Sequence, residues 1–290
     1  MKSSIRPFST RQKMLDSNFE IYRYRDAYLS EVELHHHDFY EIYFFFSGSV
    51  TYIIESRQYQ LKPGDILLIS PLELHQPVIQ PGKEPYERVV LWINREYLRE
   101  ASSRSTDLTS CFDVSAPHHT NLLRLDAVTV RRFQDMADTL ISEEDRRGFG
   151  WDLNCQAILI RLLVELNRQV LDTPGGLEVT EESSGIVADV LRYINENFNS
   201  EITLDTLSQH FFVSKYHLSR EFKRLVGTSV YRYIIQKRLI MAKQKMLAGM
   251  SPTDVYCNCG FGDYANFYRA FRGEYGISPK EFCEEAFRRR

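Results

Sequence analysis

The last hundred residues hold a degenerate internal repeat, and no other feature constrains the fold as tightly. Residues 204–227 read as a helix, a short turn, and then Ser214-Lys215-Tyr216-His217-Leu218-Ser219-Arg220-Glu221-Phe222-Lys223-Arg224, ending at Val226-Gly227. Residues 254–276 repeat the plan: a helix, Gly260-Phe261-Gly262, then Asp263-Tyr264-Ala265-Asn266-Phe267-Tyr268-Arg269-Ala270-Phe271-Arg272, ending at Tyr275-Gly276. Leu218 with Phe222, and Phe267 with Phe271, are four apart, so each pair forms a stripe on one helix face. Ser214 and Asp263 stand just before these helices, where a side-chain oxygen can accept from an orphan backbone N–H. Gly227 and Gly276 follow where helix ends favour glycine.

A helix can enter the major groove when it is short, capped, braced by a second helix and basic on its outer face. Both units meet these conditions, so two helix-turn-helix units are expected at about 204–226 and 253–275. Between them, residues 230–247 read as one long helix with Lys237, Arg238, Lys243 and Lys245 on a polar side. Such a connector would set two recognition helices about one DNA turn apart on the same face. The candidate DNA contacts are Ser214, Lys215, Tyr216, His217, Arg220 and Lys223 in the first unit. In the second they are Asp263, Tyr264, Asn266, Arg269 and Arg272, while Phe222, Phe261, Phe267 and Phe271 are assigned to the core.

With these residues in view, the stretch 202–282 resembles the DNA-binding domain of the AraC/XylS family of bacterial transcription activators. The resemblance rests on Val213-Ser214-x-x-x-Leu218-Ser219-Arg220-x-Phe222-Lys223, on Gly260-Phe261-x-Asp263-x-x-x-Phe267-x-Arg269-x-Phe271-Arg272, and on Gly276-Ile277-Ser278-Pro279. Two positions depart from the family pattern. Tyr256 stands where a small alanine is usual, and Phe212 occupies a turn that often carries glycine, so local repacking is expected at both.

Charge is distributed in keeping with a tethered nucleic-acid binder. Residues 185–290 carry 16 Lys/Arg against 11 Asp/Glu, leaving 20 against 28 in residues 1–184, within a net charge of −3. The apolar run at residues 42–46 falls far short of the roughly 18 residues that span a bilayer, and no signal-peptide core follows the first methionine. Five cysteines without framework spacing suit reduced thiols in a cytoplasm. Cys257-x-Cys259 does not make a zinc site, because residues two apart on a helix diverge and no His or Cys pair follows at finger spacing. Both are read as ordinary buried cysteines.

The first half reads differently. Between residues 21 and 93, short apolar and aromatic runs at 40–46, 50–54, 58–61 and 66–69 alternate with Gly- and Pro-containing turns, the pattern of a small all-β sandwich or barrel. From about residue 125 the period turns helical, with two amphipathic helices joined around 143–150. His35-x-His37-x-x-x-Glu41 with Gly48, then Pro63-Gly64-Asp65 and Pro71-x-x-x-His75, resemble the two motifs of the cupin β-barrel. In metal-bearing cupins such a His, His, Glu, His set converges on one ion, so His35, His37, Glu41 and His75 form an alternative metal site for which Mn, Fe, Ni or Zn would be suited. The context favours a sensor without a cofactor, in which His35, His37, Glu41, Tyr43, His75 and Trp92 line the mouth of the barrel around a small-molecule effector, a sugar among the candidates. His36 is expected to face outward, and His118 and His119 are given no role.

The expected molecule is therefore a multidomain α+β protein. Its parts are a cupin-like effector-sensing β-barrel with accessory helices at 1–125, a helical dimerisation segment at 126–172, a linker at 173–184, and an all-α DNA-binding domain at 185–290 with two helix-turn-helix units joined by a long helix. It is expected to be a cytoplasmic, sequence-specific transcription regulator, an activator under effector control, and not an enzyme. Its partners would be double-stranded DNA, a small-molecule effector, a second copy of itself and RNA polymerase, with no membrane. The alternative is a metal-dependent cupin enzyme.

Overall fold

The computed structural model describes residues 14–16, 18–27, 32–80, 82, 84–116, 119–171 and 185–288, so the 173–184 linker and His118 lie outside the described residues. The chain divides into two compact units, residues 1–181 and 182–290.

The first unit opens with seven strands: β1 (Phe19–Asp26), β2 (Tyr40–Ser47), β3 (Val50–Ile54), β4 (Arg57–Gln60), β5 (Ile66–Ile69), β6 (His75–Ile79) and β7 (Tyr86–Ile93). Helix α1 (Arg95–Ala101) follows, capped by Asn94, whose side chain accepts from the N–H groups of Glu96 and Tyr97. A two-residue strand β8 (Leu122–Leu123) and helices α2 (Ala127–Arg146) and α3 (Trp151–Leu171) complete it. Five strands pair in the order β1-β7-β2-β5-β8 and three in the order β4-β3-β6, all antiparallel.

The larger sheet is buried on both faces, which is why β2 and β7 read as nearly continuous apolar runs rather than as alternating ones. Ile42, Phe44, Ile66, Leu68, Val89, Leu91 and Ile93 point to one side and pack with Phe133, Leu140, Leu159 and Leu163 of α2 and α3. Residues one position along the strands, Tyr43, Phe45, Leu67, Ile69, Val90 and Trp92, point the other way. There they meet Tyr52, Ile54 and Tyr59 of the three-stranded sheet. This second layer, between the two sheets, holds the polar groups described below.

Among the described residues the second unit's elements are all helices: α4 (Ile186–Asn197), α5 (Leu204–His210), α6 (Lys215–Val226), α7 (Val230–Leu247), α8 (Pro252–Asn258), α9 (Tyr264–Tyr275) and α10 (Pro279–Arg288). Helix α7 departs from the expectation of a polar side. Lys237, Lys243 and Gln236 are buried beside Tyr233, Leu239, Ile240 and Ala242, because the helix is packed around its circumference. The Lys243 ammonium sits 4.4 Å from the centre of the Tyr275 ring, and Arg238 donates to the Phe198 and Ser200 carbonyls at 2.8 Å each. These cations knit the unit together rather than forming a solvated face. The cysteine reading is corrected in part: Cys259 is buried among Val255 and Phe261, but Cys257 is exposed.

Candidate functional site

In the helical unit, α6 and α9 are each twelve residues long and are braced by the seven-residue helices α5 and α8. Ser214 Oγ accepts from His217 N and Asp263 Oδ1 from Asn266 N, and both helices end on a left-handed glycine, Gly227 and Gly276. Leu218, Phe222 and Val226 bury one face of α6, and Phe267 and Phe271 one face of α9. The opposite face of α6 exposes Lys215, Tyr216, His217, Arg220 and Lys223.

The two exposed faces differ in how far they are already organised. On α6, Arg220 lies over the Tyr216 ring at 5.7 Å and beside Glu221 at 3.3 Å, while Lys215 pairs with Asp205 of α5. On α9, Asp263 holds Asn266 through both its backbone and side-chain nitrogens, and Arg269 Nη2 donates to Asn266 Oδ1 at 2.6 Å. Arg269 and Arg272 are exposed, but Tyr264 is half-buried, edge-on to Tyr256 at 5.8 Å and to Phe267 at 5.9 Å. Tyr256 thus fills its place in the supporting helix by packing against Tyr264. Phe212 is 95% exposed and sits in the left-handed region at φ 54°, in the turn where glycine would be at ease.

In the sheet-rich unit the strands bring distant residues together. His35 and His75 exchange backbone hydrogen bonds of 3.1 and 3.0 Å, and their rings stand 4.4 Å apart. The His37 ring is 4.8 Å from that of His75 and stacks on Phe39 at 3.9 Å. Glu41 is opposite Trp92 in the β2–β7 pairing, and its Oε2 accepts from Trp92 Nε1 at 2.9 Å while standing 3.0 Å from His37 Nε2. The donor atoms of His37, Glu41 and His75 lie within 4.8 Å of one another, and all three residues are buried. Desolvation, followed by the nearby His37, holds the His35 imidazole down at about 4; burial beside His35 and His37 drives His75 well below the ordinary histidine range. Both rings are therefore neutral at neutral pH.

Tyr43 stands deeper in the same layer, its hydroxyl 2.5 Å from that of Tyr86 and its ring edge-on to Tyr52 at 5.1 Å. Burial pushes the Tyr86 phenol up to about 12 and drives that of Tyr43 well above its ordinary range. Three residues that the motifs did not flag belong here. Tyr52 stacks toward His75 at 6.2 Å. Arg88, only 1% exposed, pairs with Asp26 and lies over the Tyr86 ring at 4.1 Å and the Tyr24 ring at 4.8 Å. A signal for two of the three was available: from Trp92, the period of two along a strand leads back through Val90 to Arg88 and Tyr86. His36 corrects the expectation of an outward side chain, since it is buried. His119 lies 3.5 Å from Glu73, on a carboxylate that also accepts from Asn121.

Comparison with known proteins agrees with both halves. Residues 18–163 match the AraC-like ligand binding domain, and residues 207–285 match a helix-turn-helix domain. The HTH-type transcriptional activator RhaS of Salmonella arizonae is 24% identical over 252 residues, covering 85% of this chain and 86% of the relative. RhaS of an Enterobacter species is also 24% identical, over 255 residues with the same coverage. Among solved structures, a DNA-binding transcriptional dual regulator from Escherichia coli K-12 is 26% identical over 37% of this chain and 96% of its own, with a TM-score of 0.33. A lysine-to-alanine variant of ToxT from Vibrio cholerae is 12% identical over 92% of this chain and 97% of its own, with a TM-score of 0.41. No described helix is long and apolar enough to cross a membrane. With an AraC-like ligand-binding domain ahead of a helix-turn-helix domain, the chain belongs to the AraC/XylS family of DNA-binding transcription regulators.

Proposed function

We propose that this regulator is a transcriptional activator working in the cytoplasm, in which an effector held between the two sheets of the first unit controls how α6 and α9 engage two successive major-groove segments. The observation that carries the DNA half is the pair of capped, braced helices whose outward faces carry Arg220, Lys223, Arg269 and Arg272. Lys215, Tyr216, His217 and Ser214 on the first helix, and Asn266 with Asp263 on the second, complete the contact surface. Tyr264 contributes chiefly by packing. An arginine on a groove-facing helix can hold a guanine edge with two hydrogen bonds, and lysine contributes mainly by neutralising phosphate.

The effector half rests on a layer that mixes aromatic faces with buried polar groups, His37, Glu41, Tyr43, Tyr52, His75, Tyr86, Arg88 and Trp92, with half-buried His35 beside them. Such a lining suits a small polyhydroxylated molecule, whose hydroxyls would meet the polar atoms and whose carbon faces would stack on rings. To act as a signal, the effector must bind one arrangement of the protein more tightly than the other, since equal affinity shifts nothing. Apolar Val128 on α2 and Leu153 on α3 are exposed, which supports homodimerisation through this helical pair at 126–172 and hence paired half-sites on DNA. RNA polymerase would be the partner of the bound activator; the RhaS relatives are named as transcriptional activators. Catalysis has no part in this reading.

The test is fluorescence anisotropy of the full chain with labelled fragments from its own promoter region, across a salt series. Arg220→Ala and Arg269→Ala are each expected to weaken specific binding by about 1–3 kcal/mol, roughly 5- to 150-fold, and to flatten the salt dependence. Unchanged affinity and slope in both variants would remove α6 and α9 from the interface.

A further inference from the structure

Helices α5 and α8 end in the same way. After α5, the Phe212 N–H donates to the Gln209 carbonyl at 3.3 Å and that of Val213 to the Ser208 carbonyl at 3.0 Å. After α8, the Gly260 N–H donates to the Cys257 carbonyl at 3.2 Å and that of Phe261 to the Tyr256 carbonyl at 3.0 Å. Each pair of bonds closes a helix end by setting one residue in the left-handed region, where glycine is the usual occupant. The second turn has Gly260, at φ 77°, but the first has Phe212, at φ 54°. A phenylalanine in that conformation strains the backbone, and a glycine would not.

The surroundings of the two turns differ as well. A β-carbon at Gly260 would meet the Phe198 and Asn199 carbonyls within 2.9 Å, so the end of α4 fills the space outside the second turn. The first turn is open. The Phe212 ring is 95% exposed and meets no other aromatic ring among the described residues, although the two side chains before it do pack. His210 lies 4.7 Å from Phe211 and 4.5 Å from Tyr193. Strain that gains no contact within the chain points to a contact outside it.

The position of the ring names the partner. Phe212 stands two residues before Ser214, the N-cap of α6, and the exposed residues that follow are Lys215, Tyr216 and His217. Tyr216 is 76% exposed, with the Arg220 guanidinium over its ring. The Phe212 ring is therefore continuous with the basic face that meets DNA, and cations there draw a polyanion rather than an apolar protein surface. Duplex DNA offers apolar surface at such an edge, in the thymine methyl groups of the major groove and the deoxyribose along its rim. The second unit has no counterpart, since α4 covers its turn and Tyr264 packs against Tyr256.

We propose that Phe212 is a DNA contact confined to the first helix-turn-helix unit, its ring packing on thymine methyl or deoxyribose surface where α6 enters the major groove. The stretch of DNA under α6 is then selected in part by apolar contact, and the stretch under α9 is not. This rests on the reading that α6 engages DNA.

The experiment is anisotropy of the full chain with promoter fragments made with thymidine or with deoxyuridine, which pairs identically and lacks only the methyl group. Phe212→Gly is expected to weaken binding to the thymidine fragment roughly five- to tenfold, the effect of leaving apolar ring surface in water. Its salt dependence should match that of the wild type, because a neutral ring releases no counterions, and its denaturation midpoint should not fall. A smaller loss on the deoxyuridine fragment places the ring on thymine methyls, and equal losses on both place it on deoxyribose; each supports the contact. Wild-type affinity of Phe212→Gly for both fragments, with Arg220→Ala weakened, overturns the proposal and leaves the ring to a protein partner. A weakened Phe212→Gly with a lowered midpoint or an altered salt slope also overturns it, because the ring would then act through the fold or the cations. Wild-type affinity in both Phe212→Gly and Arg220→Ala removes α6 itself from the DNA.

Discussion

At the scale of single residues, two turn positions illustrate how backbone geometry and side chain are matched or mismatched. Gly260 ends the turn after α8 at φ 77°, and a β-carbon there would stand 2.7 Å from the Phe198 carbonyl oxygen and 2.9 Å from the Asn199 carbonyl. Those are backbone atoms at the end of α4, so nothing flexible can yield. Gly260→Ala is therefore expected to destabilise the second unit by at least about 2 kcal/mol, measurable as a lowered denaturation midpoint. Phe212 is the mirror case. It bears the cost of a left-handed conformation with an exposed ring that packs little, so Phe212→Gly is expected to raise stability by about 0.5–1 kcal/mol. A decrease would mean that the ring has a contact of its own to lose.

Among the elements, α7 carries the second unit. Its burial on all sides explains why its cations end inward or against other helices, which a pattern of alternating polar and apolar positions could not reveal. Arg238 is the link to α4, donating to the C-cap carbonyl of Phe198, which the helix end leaves without an intrahelical partner, and to the Ser200 carbonyl just beyond it. Arg238→Ala is expected to cost about 1–2 kcal/mol, discounted for a half-exposed guanidinium, and to lower the melting temperature without changing the salt slope of DNA binding. A changed slope would instead place Arg238 at the phosphate backbone. Helices α6 and α9 themselves are legible in the sequence, since caps at Ser214 and Asp263 and stripes four residues apart are encoded within one or two turns.

For the whole molecule, the division into two compact units predicts a separable DNA-binding half. A fragment of residues 185–290 is expected to fold cooperatively and to retain the salt dependence of DNA binding while losing any response to effector, by circular dichroism and anisotropy. Failure of the fragment to fold would show that the first unit supplies part of its stability.

What the sequence by itself determined is the set of short-range features: the helix-turn-helix repeat, its caps, its basic faces, the β-rich character of the first half and the His, His, Glu, His spacing. Each depends on residues a few positions apart, where periodicity and capping act. Only the tertiary structure decided which of those groups meet. Glu41 is joined to Trp92 across 51 residues and Arg88 to Asp26 across 62, through strand pairings whose partners no local pattern names. The same long-range packing buries His36, Lys237 and Lys243, turns Cys257 outward while Cys259 faces the core, and leaves His75 Nε2 facing Glu41 and His37. A one-residue shift in register reverses every side chain on a strand, so the inner layer of the sensor belongs to the fold rather than to any segment of it.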